Sequence, residues 1–334
     1  MSFERVLVTG GTGSLGRTLI RRLLAADAHR IIVYSRDEYK QARLDAELGD
    51  PRLRFFLGDV RDPERLAQAM HHVDAVAHTA ALKRVDRVSS EAGEAVKTNV
   101  LGSANVIQAA IDANVPRVLL ISSDKCVEAI NFYGHTKALM ESYGIQANAY
   151  GWARGTRISV ARWGNVLDSR GAVLHTWRRT LKEGKPLPVT DPRMTRFWLT
   201  LRQAAGLAYE VLTSMRGGEI WVPVLPAGQI LDLAEALAPG YPTECVGLRP
   251  GGEKLHESLL TGDEIARTVP VPFAEPQSWY IIQPAVHPWA AEWPWMGPML
   301  DVPAGWRYAS DVATPRLSPM LLRGLLEQVQ EEPA

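Results

Sequence analysis

The stretch RVLVTGGTGSLGRTLIRRLLAA, Arg5 to Ala26, decides the fold. Arg5–Val8 is an aliphatic, β-branched run that predicts a strand. It breaks into glycines at Gly10, Gly13 and Gly16, and the apolar spacing after them predicts a helix over Ser14–Ala26. A strand that turns through spaced glycines into a helix lets backbone approach a pyrophosphate, whose charge then sits at the helix N-terminus. Gly10, Thr12, Gly13, Ser14, Leu15 and Gly16 are therefore candidate dinucleotide contacts.

The alternation continues outward from this unit. Strands are expected at Arg30–Tyr34, Arg54–Leu57, Ala75–His78, Arg117–Ile121 and Arg157–Arg162, with helices over Pro63–His71, Glu94–Ala113 and Tyr133–Ala149. Strands alternating with helices imply right-handed βαβ units and a parallel sheet. The fold class is therefore α/β, a Rossmann-type doubly wound parallel sheet over residues 1–165, with a smaller C-terminal substrate-binding portion over 166–334. Pro, Gly and Trp become frequent in that portion, as in EGKPLPVTDPRMTRFW and HPWAAEWPWMGP. Leu199–Leu212 is expected as a helix packed back on the first portion, and Leu317–Val329 as an amphipathic helix whose trailing EEPA frays.

Composition excludes several classes. Lys+Arg and Asp+Glu are both 37, so no basic excess points to nucleic acid or an anionic membrane. No apolar stretch is long enough to span a bilayer, and the N-terminus lacks a signal-peptide pattern. Two distant cysteines, Cys126 and Cys245, make no disulfide framework, and no metal-ligand spacing is present. A reduced, cytoplasmic setting is expected.

The strand ends carry the candidate site residues. Ser35 and Arg36 close the second strand, where a guanidinium suits a 2′-phosphate and so NADP; Asp37 follows directly, which keeps NAD as the lesser alternative. After the third strand, Asp59 is placed to accept from an adenine amino group with Val60 beside the ring, although an Asp there also suits a turn or helix cap. Ala80 and Ala81 let a cofactor lie close to the fourth strand's end, and Lys83 points toward the crevice. Asn99, grouped with the cofactor residues, suits a structural bridge to the active-site backbone.

Most informative is SSDKCVEAINFYGHTK, Ser122 to Lys137. Tyr133 and Lys137 stand one helical turn apart, so the lysine can stabilise the tyrosinate and hold a ribose. Ser123 can hydrogen-bond a sugar hydroxyl. Asp124 and Lys125 add an acid and a base that a simple dehydrogenase does not need, which suggests oxidation followed by elimination. Cys126 reads as a small buried residue.

Taken together, TGGTGSLG, VYSRDEYKQ, RFFLGDVRD, AALKRVD, SSDK and YGHTK resemble the extended short-chain dehydrogenase/reductase superfamily. With RWGNVLDSRGAV, TDPRMTRFW, GGEIWVP, GLRPGGEKLHE and WYIIQP, the chain is most similar to UDP-N-acetylglucosamine 4,6-dehydratases of the C5-inverting type. The resemblance implies that Tyr133 deprotonates the C4 hydroxyl, Lys125 removes the C5 proton, Asp124 protonates the departing C6 hydroxyl, and tightly bound NADP is regenerated each turnover. It implies contacts to the UDP-sugar from Lys83, Asn165, Ser169, Arg170, Arg196, Arg249 and Glu253, and a homo-oligomer, dimer or hexamer. Three features depart from the family pattern: Glu128–Ala129 where a proline is usual, an extra glycine in RPGGEK, and the Trp/Pro-rich segment Pro288–Pro298. The alternatives are a nucleotide-sugar 4-epimerase, a dehydratase for another nucleotide sugar, and a non-catalytic NADP-binding scaffold.

Overall fold

Nine strands form the central sheet of the computed structural model, which describes residues 3–272, 278–285, 289, 295, 297–303 and 305–330. Across the sheet they run Leu53–Leu57, Arg30–Ser35, Arg5–Thr9, Ala75–His78, Arg117–Ile121, Arg157–Ala161, Ile220–Pro223, Ser278–Ile282 and Thr268–Pro272. The first seven pair in parallel; Ser278–Ile282 pairs antiparallel with both its neighbours. The chain runs from Arg5–Thr9 outward to Leu53–Leu57, then crosses to Ala75–His78 on the other side. This reversal opens a crevice at the strands' carboxyl ends, where ligands of such sheets bind.

Strand interiors are nearly all apolar and buried, as expected of a sheet covered on both faces. Three strands from beyond residue 165 extend it, and the helix Leu201–Ser214 packs against Ser14–Ala25. A second apolar cluster, around Trp177, Leu187, Trp198, Leu233 and Leu322, underlies the substrate side of the crevice. The C-terminal helix spans Pro319–Gln330 and packs on Ile230–Leu237. EEPA and most of Pro288–Pro298 lie outside the described residues. No helix among the described residues is long and apolar enough to cross a membrane.

Two expected helices need correction. Glu94–Ala113 is not one helix: Ala92–Ala95 leads into a π-helical turn, Val96–Leu101, before Gly102–Asp112. Nothing in VKTNVL breaks a 3.6-residue pattern, and the widened turn is set by tertiary contacts of Asn99. Tyr133–Ala149 begins at Phe132, ends at Gln146, and is followed by a short helix, Asn148–Gly151. In the first portion Glu38–Leu48 and Val85–Ser90 were not expected, and beyond residue 165 neither were Val173–Lys182 and Ile230–Leu237.

Candidate active site

A single crevice of about 1670 Å³ runs along the carboxyl edge from Gly10 to Glu257. That exceeds the range of roughly 300–1,000 Å³ usual for one small ligand, so it has room for a dinucleotide and a nucleotide sugar end to end.

The glycine turn lines one end. Gly10 has φ 67°, and a Cβ there would stand 2.8 Å from the Ala80 backbone, so only glycine lets the first and fourth strand ends approach this closely. The helix Ser14–Ala25 has no side-chain cap and no acid in its first turn, which leaves its positive end to an anion. Thr12, Ser14, Leu15, Ala80 and Ala81 line the same end.

At the end of the second strand, Asp37 caps the helix Glu38–Leu48 by accepting from the Lys40 backbone at 2.9 Å. Its hydrogen bonds from Lys40 hold its carboxyl below the usual carboxylate range. Ser35, Arg36, Asp37, Glu38 and Lys40 all line the crevice here, with Asp37 held by both the backbone and the ammonium of Lys40. Lys40 escaped the sequence reading because the polar helix that presents it was not expected.

Asp59 and Asn99 stand behind the crevice wall. Both Asp59 oxygens accept from Arg61, at 3.0 Å from the backbone and at 3.0 and 2.7 Å from the guanidinium, and Arg36 lies 3.5 Å away. Val60 does reach the lining. Asn99 exchanges hydrogen bonds with the Leu82 backbone at 2.8 and 2.9 Å and donates to Thr136 Oγ1 at 3.1 Å. It ties the π-helical turn both to the loop carrying Lys83 and to the helix carrying Tyr133 and Lys137.

The centre gathers the Ser122–Lys137 segment. Asp124 is fully buried at the end of Arg117–Ile121, with its N–H bonded to the Trp163 carbonyl at 3.0 Å. Its Oδ1 accepts from Ser123 Oγ at 2.7 Å and from Lys125 Nζ at 3.0 Å, while the buried Oδ2 has no hydrogen-bond partner. Burial opposes charge on Lys125, but Asp124 and Glu257 outweigh it and raise the ammonium's pKa. Burial raises the Tyr133 hydroxyl, and the charge of Lys125 and a hydrogen bond with Ser123 work against that rise. Burial brings Lys137 down to about 8; its Nζ donates to the Ile121 carbonyl at 2.8 Å. Tyr133 and the Asp124–Lys125 pair therefore act on one another electrostatically.

Gly134 holds these groups together. A Cβ at 134 would lie 2.1 Å from the Lys125 carbonyl oxygen, so the helix Phe132–Gln146 seats on the Asp124–Cys126 turn only with glycine there. Asn131 caps that helix by accepting from Gly134 N–H at 2.8 Å and donates to the Gly252 carbonyl at 3.3 Å. Glu128, in the segment that departs from the family pattern, takes a left-handed φ of 46°. Behind the helix, buried Arg162 bridges Glu141 at 2.6 Å and Glu264 at 2.8 Å, and Cys126 donates to Glu141 at 3.0 Å. Burial raises the Cys126 thiol, consistent with a packing role.

On the substrate side, Asn165, Ser169, Arg249 and Glu253 line the crevice. Asn165 Oδ1 is buried without a hydrogen-bond partner, the mark of a group that awaits a ligand. Arg170 reaches across to the glycine turn: its N–H bonds Ser14 Oγ and its guanidinium bonds the Thr12 carbonyl, both at 3.1 Å. Burial lowers the Lys83 ammonium, and the nearby Arg170 charge lowers it further. A buried ammonium beside a second cation favours an anion between them. Arg249 pairs with Glu253 at the rim. Arg196 is buried and donates to the carbonyls of Thr195 at 2.7 Å, Lys254 at 3.0 Å and Leu255 at 3.1 Å, so it braces two segments. Trp163 belongs to the main core cluster and also lines the crevice.

A family model described as "Polysaccharide biosynthesis protein" matches residues 6–274. The chain belongs to this family. Among its relatives in the polysaccharide biosynthesis family is a UDP-N-acetylglucosamine 4,6-dehydratase (inverting) from Campylobacter jejuni, 40% identical, with 85% of this chain and 84% of that protein covered. A UDP-glucose 4-epimerase from Rickettsia canadensis is 38% identical over 79% of this chain and 80% of its own length. The solved structure of Pen from Bacillus thuringiensis superposes with a TM-score of 0.86 at 32% identity, covering 98% of this chain and 99% of that one. DesIV, a dTDP-glucose 4,6-dehydratase from Streptomyces venezuelae solved with NAD and TYD bound, has a TM-score of 0.67 at 28% identity over 75% and 86% of the two chains. The Rossmann architecture expected from the sequence is thus that of nicotinamide-dependent nucleotide-sugar enzymes.

Proposed function

We propose that the chain is a UDP-N-acetylglucosamine 4,6-dehydratase that inverts C5 and uses NADP. The observation that carries this reading is Lys125, joined to Asp124 at 3.0 Å and bearing electrostatically on Tyr133. Overall identity does not separate dehydration from epimerisation, since relatives with either name lie near 40%. Chemistry separates them: epimerisation at C4 needs Tyr133 and Lys137 alone, whereas loss of water next to a carbonyl needs an additional base and acid.

The crevice fits a nicotinamide dinucleotide, because the Gly10–Ala80 approach leaves a backbone cradle that a Cβ would fill. Gly10–Gly16, Ser35, Val60, Ala80, Ala81, Tyr133 and Lys137 would hold it, with Arg36 and Lys40 on the 2′-phosphate that distinguishes NADP. Bound NADP supplies hydride acceptance at C4 and hydride return at C6. Tyr133 takes the C4 hydroxyl proton, aided by the positive charge of Lys125. The C4 carbonyl acidifies the C5 proton. A proton shift from Lys125 to Asp124 across their hydrogen bond yields a neutral amine and a carboxylic acid. Lys125 then takes the C5 proton and Asp124 supplies the proton with which the C6 oxygen leaves as water, restoring the resting ion pair. Asp124 has no exposed surface, so Ser123, which shares its Oδ1 and lines the crevice, is placed to relay that proton.

Lys83, Arg170 and Arg249 are proposed for the diphosphate, and Asn165, Ser169 and Glu253 for the nucleotide sugar, with Arg196 as their brace. A cytoplasmic homo-oligomer is proposed; the exposed Leu139 and Tyr143, one turn apart on the catalytic helix, offer an apolar face for self-association. Product analysis tests the reading: a 4-keto-6-deoxy sugar supports it, and a C4 epimer that retains all its oxygens replaces it with epimerisation.

A further inference from the structure

Glu257 has no part in the reaction as derived above, yet it faces the same ammonium as Asp124. Its Oε1 lies 3.4 Å from Lys125 Nζ, and its side chain is buried in the crevice wall. Its Oε2 has no hydrogen-bond partner and stands 3.7 Å from Lys254 Nζ. Arg196 Nε is 4.0 Å from Oε1. Lys125, Lys254 and Arg196 thus ring a single buried carboxylate.

The chemistry asks for such a group. Elimination begins with Asp124 protonated, so Asp124 is no longer an anion when Lys125 takes the C5 proton. At that moment the C5–H bond breaks and an N–H bond forms on Lys125, the electron pair passing to the C4 oxygen as an enolate; the C5–C6 double bond forms next, as the C6–O bond breaks and the Asp124 proton leaves in water. Between these two events the new ammonium would stand in a desolvated crevice with a neutral neighbour, and unpaired buried charge is strongly unfavourable. A carbon acid next to a carbonyl is also far weaker than an ammonium, so an anion that stabilises the ammonium makes Lys125 a better base.

We propose that Glu257 is the standing counter-ion of Lys125, the anion that stays beside it while Asp124 carries the proton. No proton passes to Glu257; it is a positioning residue acting through Lys125. The inference rests on the dehydratase reading.

The test compares the intact protein with Glu257→Gln, which keeps the shape and removes the charge, using UDP-N-acetylglucosamine in heavy water. Expected is a loss on the order of 100-fold in kcat for water loss, with KM within a few-fold of the parent. Deuterium entry at C5 slows with kcat, while C4 oxidation persists and the absorbance of reduced nicotinamide builds up. The alkaline limb of the pH profile moves to lower pH, because the ammonium has lost an anion. Glu257→Asp restores part of the rate. A kcat and alkaline limb equal to the parent's overturns the proposal, as does equal loss of oxidation and elimination with no build-up of reduced nicotinamide. If Glu257→Gln loses its thermal unfolding transition, Glu257→Asp decides by its pH profile: a partial downward move supports the proposal and an unchanged limb overturns it. Release of a C4 epimer by the parent protein is a separate outcome that removes the dehydratase reading and the proposal with it.

Discussion

Lys125 Nζ lies 3.0 Å from Oδ1 of Asp124, its predecessor in the chain, on a carboxylate whose other oxygen is buried without a hydrogen-bond partner. Adjacent residues in a strand point to opposite faces; the 3₁₀ turn Asp124–Cys126 is what swings both side chains to one side. The pair holds one proton between two sites, which is the state an acid–base elimination needs. Lys125→Ala should therefore cut water loss by roughly 10²–10⁴-fold, read as the rate of 4-keto-6-deoxy product. Turnover within a few-fold of the parent would remove Lys125 as the base.

Cofactor choice should turn on Arg36, which lines the crevice at the end of the second strand. Arg36→Ala should weaken NADP binding by roughly 10–100-fold, the worth of a charge-assisted hydrogen bond to phosphate, and leave NAD within a few-fold. Titration of the cofactor-free protein with each dinucleotide measures this. Equal losses for both would refute the 2′-phosphate role.

Close approach at Gly134 gives a structural prediction. Gly134→Ala puts a methyl where the Lys125 carbonyl stands, so the turn or the helix must move. Stability should fall by about 1–3 kcal/mol, and activity should fall by more than stability explains, because the displaced group is the catalytic turn. Denaturant unfolding beside kcat measures both; parental values in each would contradict the packing described.

The pH dependence of stability should carry the mark of His78. Burial keeps this ring neutral, lowering its pKa to about 3, and it bonds Thr9 Oγ1 at 2.7 Å and Ser103 Oγ at 2.9 Å. In the unfolded chain it takes a proton near the ordinary histidine value of 6.5. Between these values the unfolded state binds more protons, so stability is fully present above about 6.5 and falls as pH drops toward 3. The contribution is at most about 1.4 kcal/mol per pH unit. In denaturant midpoints between pH 7 and 5, His78→Gln should show a shallower decline than the parent; parallel declines would count against the assignment.

Much of this was legible in the sequence, for identifiable reasons. The glycine turn and the strands Ala75–His78 and Arg117–Ile121 are short local patterns with strong apolar bias, and they lie where the spacing put them. The helix Glu38–Leu48 was missed because only Gln41 and Leu44 are buried, so it carries almost no apolar stripe. The break at Val96–Leu101 serves Asn99, whose partners Leu82 and Thr136 are remote in sequence. The site divides the same way. Tyr133, Lys137, Asp124 and Lys125 announce themselves by proximity along one segment. Glu257 reaches Lys125, and brings Lys254 beside it, only because the C-terminal portion folds back over the sheet edge, and no spacing rule foretells that.

The account's central claim is that one crevice oxidises C4, removes the C5 proton through Lys125 and expels the C6 oxygen. Incubation of the protein with UDP-N-acetylglucosamine in heavy water, followed by NMR of the product, tests it most directly. The predicted result is a 4-keto-6-deoxy sugar carrying deuterium at an inverted C5. A product that keeps its C6 hydroxyl and its C5 proton, changed only at C4, would contradict it.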